Sequence, residues 1–283
     1  MKIAVIGATG QLGSDLVKVF DEVIPLTHVE MEIKDLLSCL KTLEKHKPDV
    51  VINCASYVRV DDAEDYAEEV FAVNSVGAKN VTIACKKINA VNVYISTDYV
   101  FDGSKNTPYT EEDHPNPINT YGISKLAGEF YTKLVERHYI IRVSSLFGAA
   151  GASGKGGNFV ETMITKAKNK ETIMVVDDMV MSPTYTVDAA AMIKEILIKN
   201  LPFGIYHAAN KGQCSWYKFA KTIFNTLGIE VRLSPTKTNI LQSKARRPMY
   251  SPLVSVDLKK YGLEMEGWEA ALKNYLIEKG YVR

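Results

Sequence analysis

The sequence has no Cys-x-x-Cys pair, no apolar run of membrane-spanning length and almost no net charge, and each absence removes a class of protein. Its four cysteines, Cys39, Cys54, Cys85 and Cys214, are scattered, which argues against a disulfide framework and against zinc-ribbon spacing. Reduced thiols are expected. Lysine and arginine number 34 against 33 aspartates and glutamates, a net +1, so the overall balance gives no reason to expect nucleic acid or an anionic membrane as partner. A membrane-spanning helix needs about 20 apolar residues, and no stretch approaches that. The opening run from Ile3 to Ile6 is also too short for the core of a signal peptide, so the expected location is the cytoplasm. What remains is 283 residues, 46% hydrophobic and 24% charged, the composition of an ordinary globular enzyme-sized chain.

Short apolar runs alternate with longer segments of helical periodicity from the first residues onward. Ile3 to Ile6, Val23 to Leu26, Val50 to Asn53, Asn92 to Thr97 and Tyr139 to Ser144 read as strands. Gln11 to Phe20, Ile33 to His46, Glu68 to Ile88 and Tyr121 to Arg137 read as the helices between them. Continuous apolar strands joined by crossover helices predict an α/β fold with a doubly wound parallel (Rossmann) sheet. Beyond Phe147 the segment Gly148 to Gly157 holds five glycines in ten residues and predicts a loop. The order is then less regular: helix Phe159 to Asn169, strand Ile173 to Val176, helix Val187 to Lys199, strand Gly204 to Ala208 and helix Trp216 to Leu227. The expected division is a dinucleotide-binding domain over 1–147, with 185–206 contributing, and a smaller, sequence-interleaved mixed α/β substrate lobe from 148–184 and 207–283.

Gly7-Ala8-Thr9-Gly10-Gln11-Leu12-Gly13 follows the first strand and opens the first helix with G-x-x-G-x-x-G spacing. Glycine at Gly7, Gly10 and Gly13 allows a sharp turn and close approach of backbone to a pyrophosphate, which the free amides of the helix start attract. The end of the second strand carries neither the acid that favours NAD nor the arginine that favours NADP. Leu26-Thr27-His28 stands there instead, so NADPH and NADH both stay open. His28 is a candidate partner for a 2′-phosphate, against the plainer reading of a loop histidine with no specific role.

Tyr121 and Lys125 lie four residues apart, on one face of a helix. A phenol titrates at about 10, and a neighbouring ammonium should pull it toward neutrality and make it a proton donor. Isolated Y-x-x-x-K pairs are common. This one is joined by Ser96-Thr97-Asp98 at the carboxyl end of a strand, where ligands of open parallel sheets bind. A Thr97 hydroxyl and a Tyr121 phenol converging on a ketone would stabilise the oxygen on which charge develops during hydride transfer. The plainer reading of Thr97 is a hydroxyl capping a turn.

With these motifs in place the chain resembles the extended short-chain dehydrogenase/reductase superfamily and, within it, the dTDP-4-dehydrorhamnose reductases. The matching runs are Gly10 to Gly13, Asn53-Cys54-Ala55 with Val60 to Glu64, Ser96 to Gly103 (STDYVFDG), Tyr121 to Glu129, Gly157-Asn158-Phe159, Ser182-Pro183-Thr184, Gly204 to His207, and Arg246-Arg247-Pro248 with Ser251 and Leu253. The resemblance implies Tyr121 as proton donor, Lys125 orienting it and the nicotinamide ribose, and Thr97 with Asp98 at the sugar carbonyl. It implies Gly10, Gln11 and Leu12 at the pyrophosphate, Ala55, Ser56 and Tyr57 along the middle of the cofactor, and Glu32 and Ile33 at the adenine. Asn158 and Arg247 are the remaining substrate candidates, Arg247 because a guanidinium fork suits a diphosphate. The implied reaction is reduction of a 4-keto-6-deoxy sugar on thymidine diphosphate to dTDP-L-rhamnose, by a homodimer. Some members resembling this chain use Mg2+ at a dimer interface, but the sequence offers no ligand cluster to assign to it.

The chain departs from the family pattern at two places. Ser145 stands where members carry a tryptophan near the sugar, and Asp178-Met179-Val180-Met181 replaces an Asp-Gln-x-Gly ahead of Ser182. The methionines suggest a more apolar pocket or, more simply, filled core. Two alternatives remain beside the reductase: a sugar-nucleotide epimerase or dehydratase, and a dinucleotide-binding regulatory subunit resembling the β subunit of methionine adenosyltransferase.

Overall fold

Ile3–Ile6 form β1, and all four residues are buried. Ile3 and Val5 point into one core and Ala4 and Ile6 into another, so both faces of the strand must be covered. The computed structural model describes residues 1–151, 157–240 and 243–282. The glycine-rich loop expected over 148–157 lies partly outside them, at 152–156.

After β1 come α1 (Gln11–Val19), β2 (Val23–Leu26), α2 (Leu36–His46), β3 (Val50–Asn53), α3 (Ala67–Phe71), α4 (Gly77–Ile88), β4 (Val91–Thr97), α5 (Thr120–Thr132) and β5 (His138–Val143). Next are β6 (Leu146–Phe147), α6 (Phe159–Lys168), β7 (Ile173–Val176), β8 (Val180–Met181), β9 (Thr184–Tyr185) and α7 (Thr186–Ile198). The chain closes with β10 (Gly204–His207), β11 (Cys214–Ser215), α8 (Trp216–Leu227), β12 (Leu233–Thr236), α9 (Val256–Lys260) and α10 (Trp268–Glu278).

Six strands form one sheet in the order β10-β5-β4-β3-β1-β2, with every neighbouring pair parallel. The winding reverses between β1 and β3, which opens a crevice beyond the carboxyl ends of the strands. α1 and α7 cover one face, with Leu12 and Leu16 packed among Ala189, Ile193 and Ile196. α2 and α4 cover the other through Leu43, Val81 and Cys85. Short strands build the second lobe: β7 pairs with β12, β8 with β11 and β6 with β9, over a core that includes Phe147, Val160, Phe219, Trp268 and Tyr275. Among the described residues no helix is long and apolar enough to cross a membrane.

Three helices differ from the sequence reading by more than one residue at an end or in their interior. The helix expected from Ile33 starts at Leu36, because the Asp35 side chain caps it by accepting from the Leu37 N–H. The helix expected to reach Arg137 stops at Thr132, since the Arg137 carbonyl already accepts from the Asn92 N–H of β4. The helix expected over Glu68 to Ile88 carries a π turn at Ala72–Val76 between α3 and α4.

α5 is held to the sheet by a buried ion pair. Arg142 of β5 donates from Nε to Glu129 Oε1 at 2.9 Å and from Nη2 to Oε2 at 2.8 Å, and Ser96 of β4 donates to Oε1 at 2.6 Å. The two charged side chains are 1% and 0% exposed. Removing one partner strands a charge away from water. Glu129→Ala is therefore expected to lower the unfolding free energy by about 3–5 kcal/mol in a urea titration. A loss below about 1 kcal/mol would mean that water reaches the guanidinium.

Candidate active site

The crevice holds a cavity of about 710 Å³. Its lining brings together Gly7, Gly10, Gln11, Leu12 and Gly13 from the first loop, with Glu32 and Ile33 beyond β2 and Ala55 and Ser56 beyond β3. Thr97 and Asp98 from the end of β4, Tyr121 and Lys125 from α5, and Asn158 before α6 complete the expected set. His28 lines it as well. Among the described residues, Tyr57 and Arg247 stay outside the lining.

The first loop fits a dinucleotide. Gly7 turns with φ +74°, and a Cβ on Gly13 would lie 2.1 Å from the Gly7 carbonyl oxygen, so neither position accepts a side chain. Gly10 starts α1 without a side-chain cap, and the buried Gln11 Nε2 has no partner among the described residues. Open amides and an orphaned donor at one helix start are what a pyrophosphate satisfies.

The face of α5 that carries Tyr121 and Lys125 is set at its beginning. Asn119 accepts from the Gly122 N–H at 2.8 Å and donates to the Arg246 carbonyl at 2.7 Å, tying the helix start to the second lobe. The Tyr121 phenol is pushed up to about 12, chiefly by burial, while the hydroxyls of Thr97 and Ser56 beside it act in the opposite direction. The expected lowering by Lys125 does not occur. Lys125 is itself buried, which pulls it down to about 7 against the favourable charge of Glu129. Its Nζ donates to the Ile95 carbonyl at 2.7 Å and lies 4.2 Å from the centre of the Tyr94 ring. Desolvation is the largest influence on both groups.

Thr97 caps the turn and also faces the cavity. Its Oγ1 accepts from the Tyr99 N–H at 3.2 Å, capping the turn, and donates to Asp98 Oδ1 at 3.1 Å while facing the cavity. Burial raises Asp98 to about 6 against hydrogen bonds that include one from Ser251 at 2.6 Å. Sequence reasoning missed Asn74, which sits in the π turn. Its Oδ1 accepts from Ser56 Oγ at 3.0 Å and the Tyr57 N–H at 2.8 Å, and its Nδ2 donates to Ser124 Oγ at 3.0 Å. The only signal was an asparagine within a helical pattern. A π turn, which widens the helix locally, is a frequent device at functional sites.

Asn158 and Arg247 are already engaged. Asn158 accepts from the Glu161 N–H at 3.1 Å and donates to the Gly148 carbonyl at 2.9 Å and to Tyr275 Oη at 3.0 Å, which uses both of its N–H bonds. Arg247 grips Asp61 through Nη1 at 3.0 Å and Nη2 at 2.5 Å. That pair explains why Arg247 stands outside the cavity.

Comparison with known proteins places this geometry. The family model described as the RmlD substrate binding domain matches residues 1–280. The chain belongs to this family. It is 38% identical to the spore coat polysaccharide biosynthesis protein SpsK of Bacillus subtilis over 283 residues, covering 98% of each. A dTDP-4-dehydrorhamnose reductase of Streptomyces griseus is 38% identical over 281 residues, covering 95% of this chain and 90% of the relative. A crystal structure of the dTDP-4-dehydrorhamnose reductase of Bacillus anthracis in complex with NADP superposes with a TM-score of 0.93 at 38% identity, covering 98% of this chain and all of that one.

Within this RmlD-family chain the departures sort by position. Met179 and Met181 are buried and, among the described residues, neither lines the cavity, so they fill core rather than reshape the pocket. Ser145 does line it, with a left-handed φ of +45°. The Mg2+ suggested by resemblance finds no group of three or more His, Cys, Asp and Glu side chains able to hold a metal among the described residues.

Lys125 also makes the site sensitive to pH. The folded protein releases this proton near 7, whereas an unfolded lysine keeps it to about 10.4, so the unfolded state binds more protons in that window and stability rises with pH. The unfolding free energy of wild type minus that of Lys125→Met is expected to grow between about pH 7 and about pH 10. A flat difference in urea titrations would mean that Lys125 stays charged in the folded protein.

Proposed function

We propose that the protein reduces the 4-keto group of dTDP-4-dehydro-L-rhamnose to give dTDP-L-rhamnose, with NADPH or NADH. The observation that carries the reading is the convergence of Thr97, Tyr121 and Lys125 with a dinucleotide loop around one cavity, in a chain 38% identical to a dTDP-4-dehydrorhamnose reductase. Gly7, Gly10, Gln11, Leu12 and Gly13 hold the pyrophosphate, Glu32 and Ile33 the adenosine, and Ala55 and Ser56 the middle of the cofactor. When bound, the reduced nicotinamide supplies the hydride.

Tyr121 gives its proton to the sugar oxygen as that oxygen becomes an alkoxide. A phenol raised to about 12 is fully protonated at neutral pH, and the alkoxide is the stronger base. Thr97 reaches the same oxygen by rotating its O–H away from Asp98. Lys125 holds the nicotinamide ribose and, when protonated, steadies the phenolate left behind. Retention of all three groups favours catalysis over a regulatory scaffold. The dinucleotide domain is 1–147 with 185–206, the sugar nucleotide binds against 148–184 and 207–283, and the enzyme acts in the cytoplasm as a homodimer.

Consumption of NADPH and NADH, followed by absorbance with enzymatically generated keto-sugar, tests the proposal. Tyr121→Phe is expected to slow turnover by about 10²–10⁴-fold with dinucleotide affinity retained. Wild-type protein that binds the dinucleotide and never oxidises it with this substrate would overturn the reading.

A further inference from the structure

We infer that Phe159 and Trp216 form the wall on which the apolar face of the substrate's hexosyl group packs. The inference rests on the reductase reading above and adds the residues that recognise the sugar. Both side chains line the cavity and are only partly buried. Their ring centres lie 4.7 Å apart with planes tilted by 57°. Behind them the support is rigid: Phe219 stacks on Phe159 at 5.6 Å, and Trp268 meets Phe219 edge-on at 5.7 Å, with Phe219 and Trp268 each 1% exposed.

Each wall residue is the first of its helix, and each helix start is fixed. Asn158 caps α6 with its side chain fully engaged, and Ser215 caps α8 by accepting from the Lys218 N–H at 3.1 Å. The wall is tied to the reacting end of the cavity by a short path. Asp98 accepts from Ser251 Oγ at 2.6 Å, the Ser251 N–H donates to the Val180 carbonyl at 2.9 Å, and Val180 pairs with Ser215, the residue before Trp216. The adenosine side of the cavity, at Glu32 and Ile33, follows β2 at the far edge of the sheet.

Two aromatic side chains held by a packed core on the lining of a cavity suit a ligand with an apolar face. A 6-deoxy hexose presents ring C–H bonds and a methyl group. Ser145, on the same lining, contributes no ring.

Steady-state kinetics of Trp216→Ala, Phe159→Ala and the conservative Trp216→Phe, with dTDP as inhibitor, test the inference. The alanine variants are expected to raise KM for the keto-sugar by about tenfold, with the Ki of dTDP and the Kd of NADPH within about twofold of wild type, and Trp216→Phe to recover most of the loss. An equal rise in the Ki of dTDP would assign the wall to the nucleotide and overturn the inference, as would an unchanged KM. Should the wild type turn over no keto-sugar, the reductase reading fails by itself. The wall is then judged by Trp216 emission, with Trp216→Phe as background: stronger quenching by the sugar nucleotide than by dTDP sustains it, and equal quenching overturns it.

Discussion

Glu129 and Arg142 carry opposite charges in a place that water does not reach, and the geometry of the site depends on that pair staying closed. Glu129 lies on the same face of α5 as Tyr121 and Lys125, at steps of four residues. Its carboxylate accepts from Arg142 on β5 and Ser96 on β4, so one side chain fixes the distance between α5 and two central strands. Ser96, Arg142 and His207 stand in register across β4, β5 and β10. Burial and the neighbouring guanidinium push His207 down to about 3, which keeps it neutral and avoids a second cation beside Arg142.

The same dryness shapes the chemistry. It raises the Tyr121 phenol and the Asp98 carboxyl and lowers the Lys125 ammonium, each shift disfavouring the charged form. Each of these groups is therefore closer to its uncharged form than it would be in water. Capped turns, such as Thr97 on Tyr99 and Asn119 on Gly122, hold the backbone beside the cavity in place.

The cavity lies where the two lobes meet, and polar contacts hold them together there. Asn119 bonds the Arg246 carbonyl, Asp61 holds Arg247, and Ser251 reaches Asp98. The RRP segment is thus tied to the start of α5 and to Asp61. A guanidinium suited to a diphosphate in isolation is consumed by a carboxylate 186 residues away in sequence, a pairing that no local pattern reveals.

The sequence by itself determined the parallel sheet, the glycine turn and the Tyr121–Lys125 face, because these follow from local rules: strand runs buried on both sides, residues that tolerate a tight turn, and side chains four apart on a helix. Of the site residues it named, all but Tyr57 and Arg247 line the cavity, since strand ends of a doubly wound sheet converge on one crevice. Tertiary structure decided the rest. Whether a phenol beside a lysine is lowered or raised depends on desolvation, which is a property of everything packed around it. The π turn that presents Asn74, the capture of Arg247 by Asp61, and the rings of Phe159 and Trp216 meeting from separate helices all arise from contacts between distant segments. Periodicity reports which face of an element is covered, but not which residue of another element covers it.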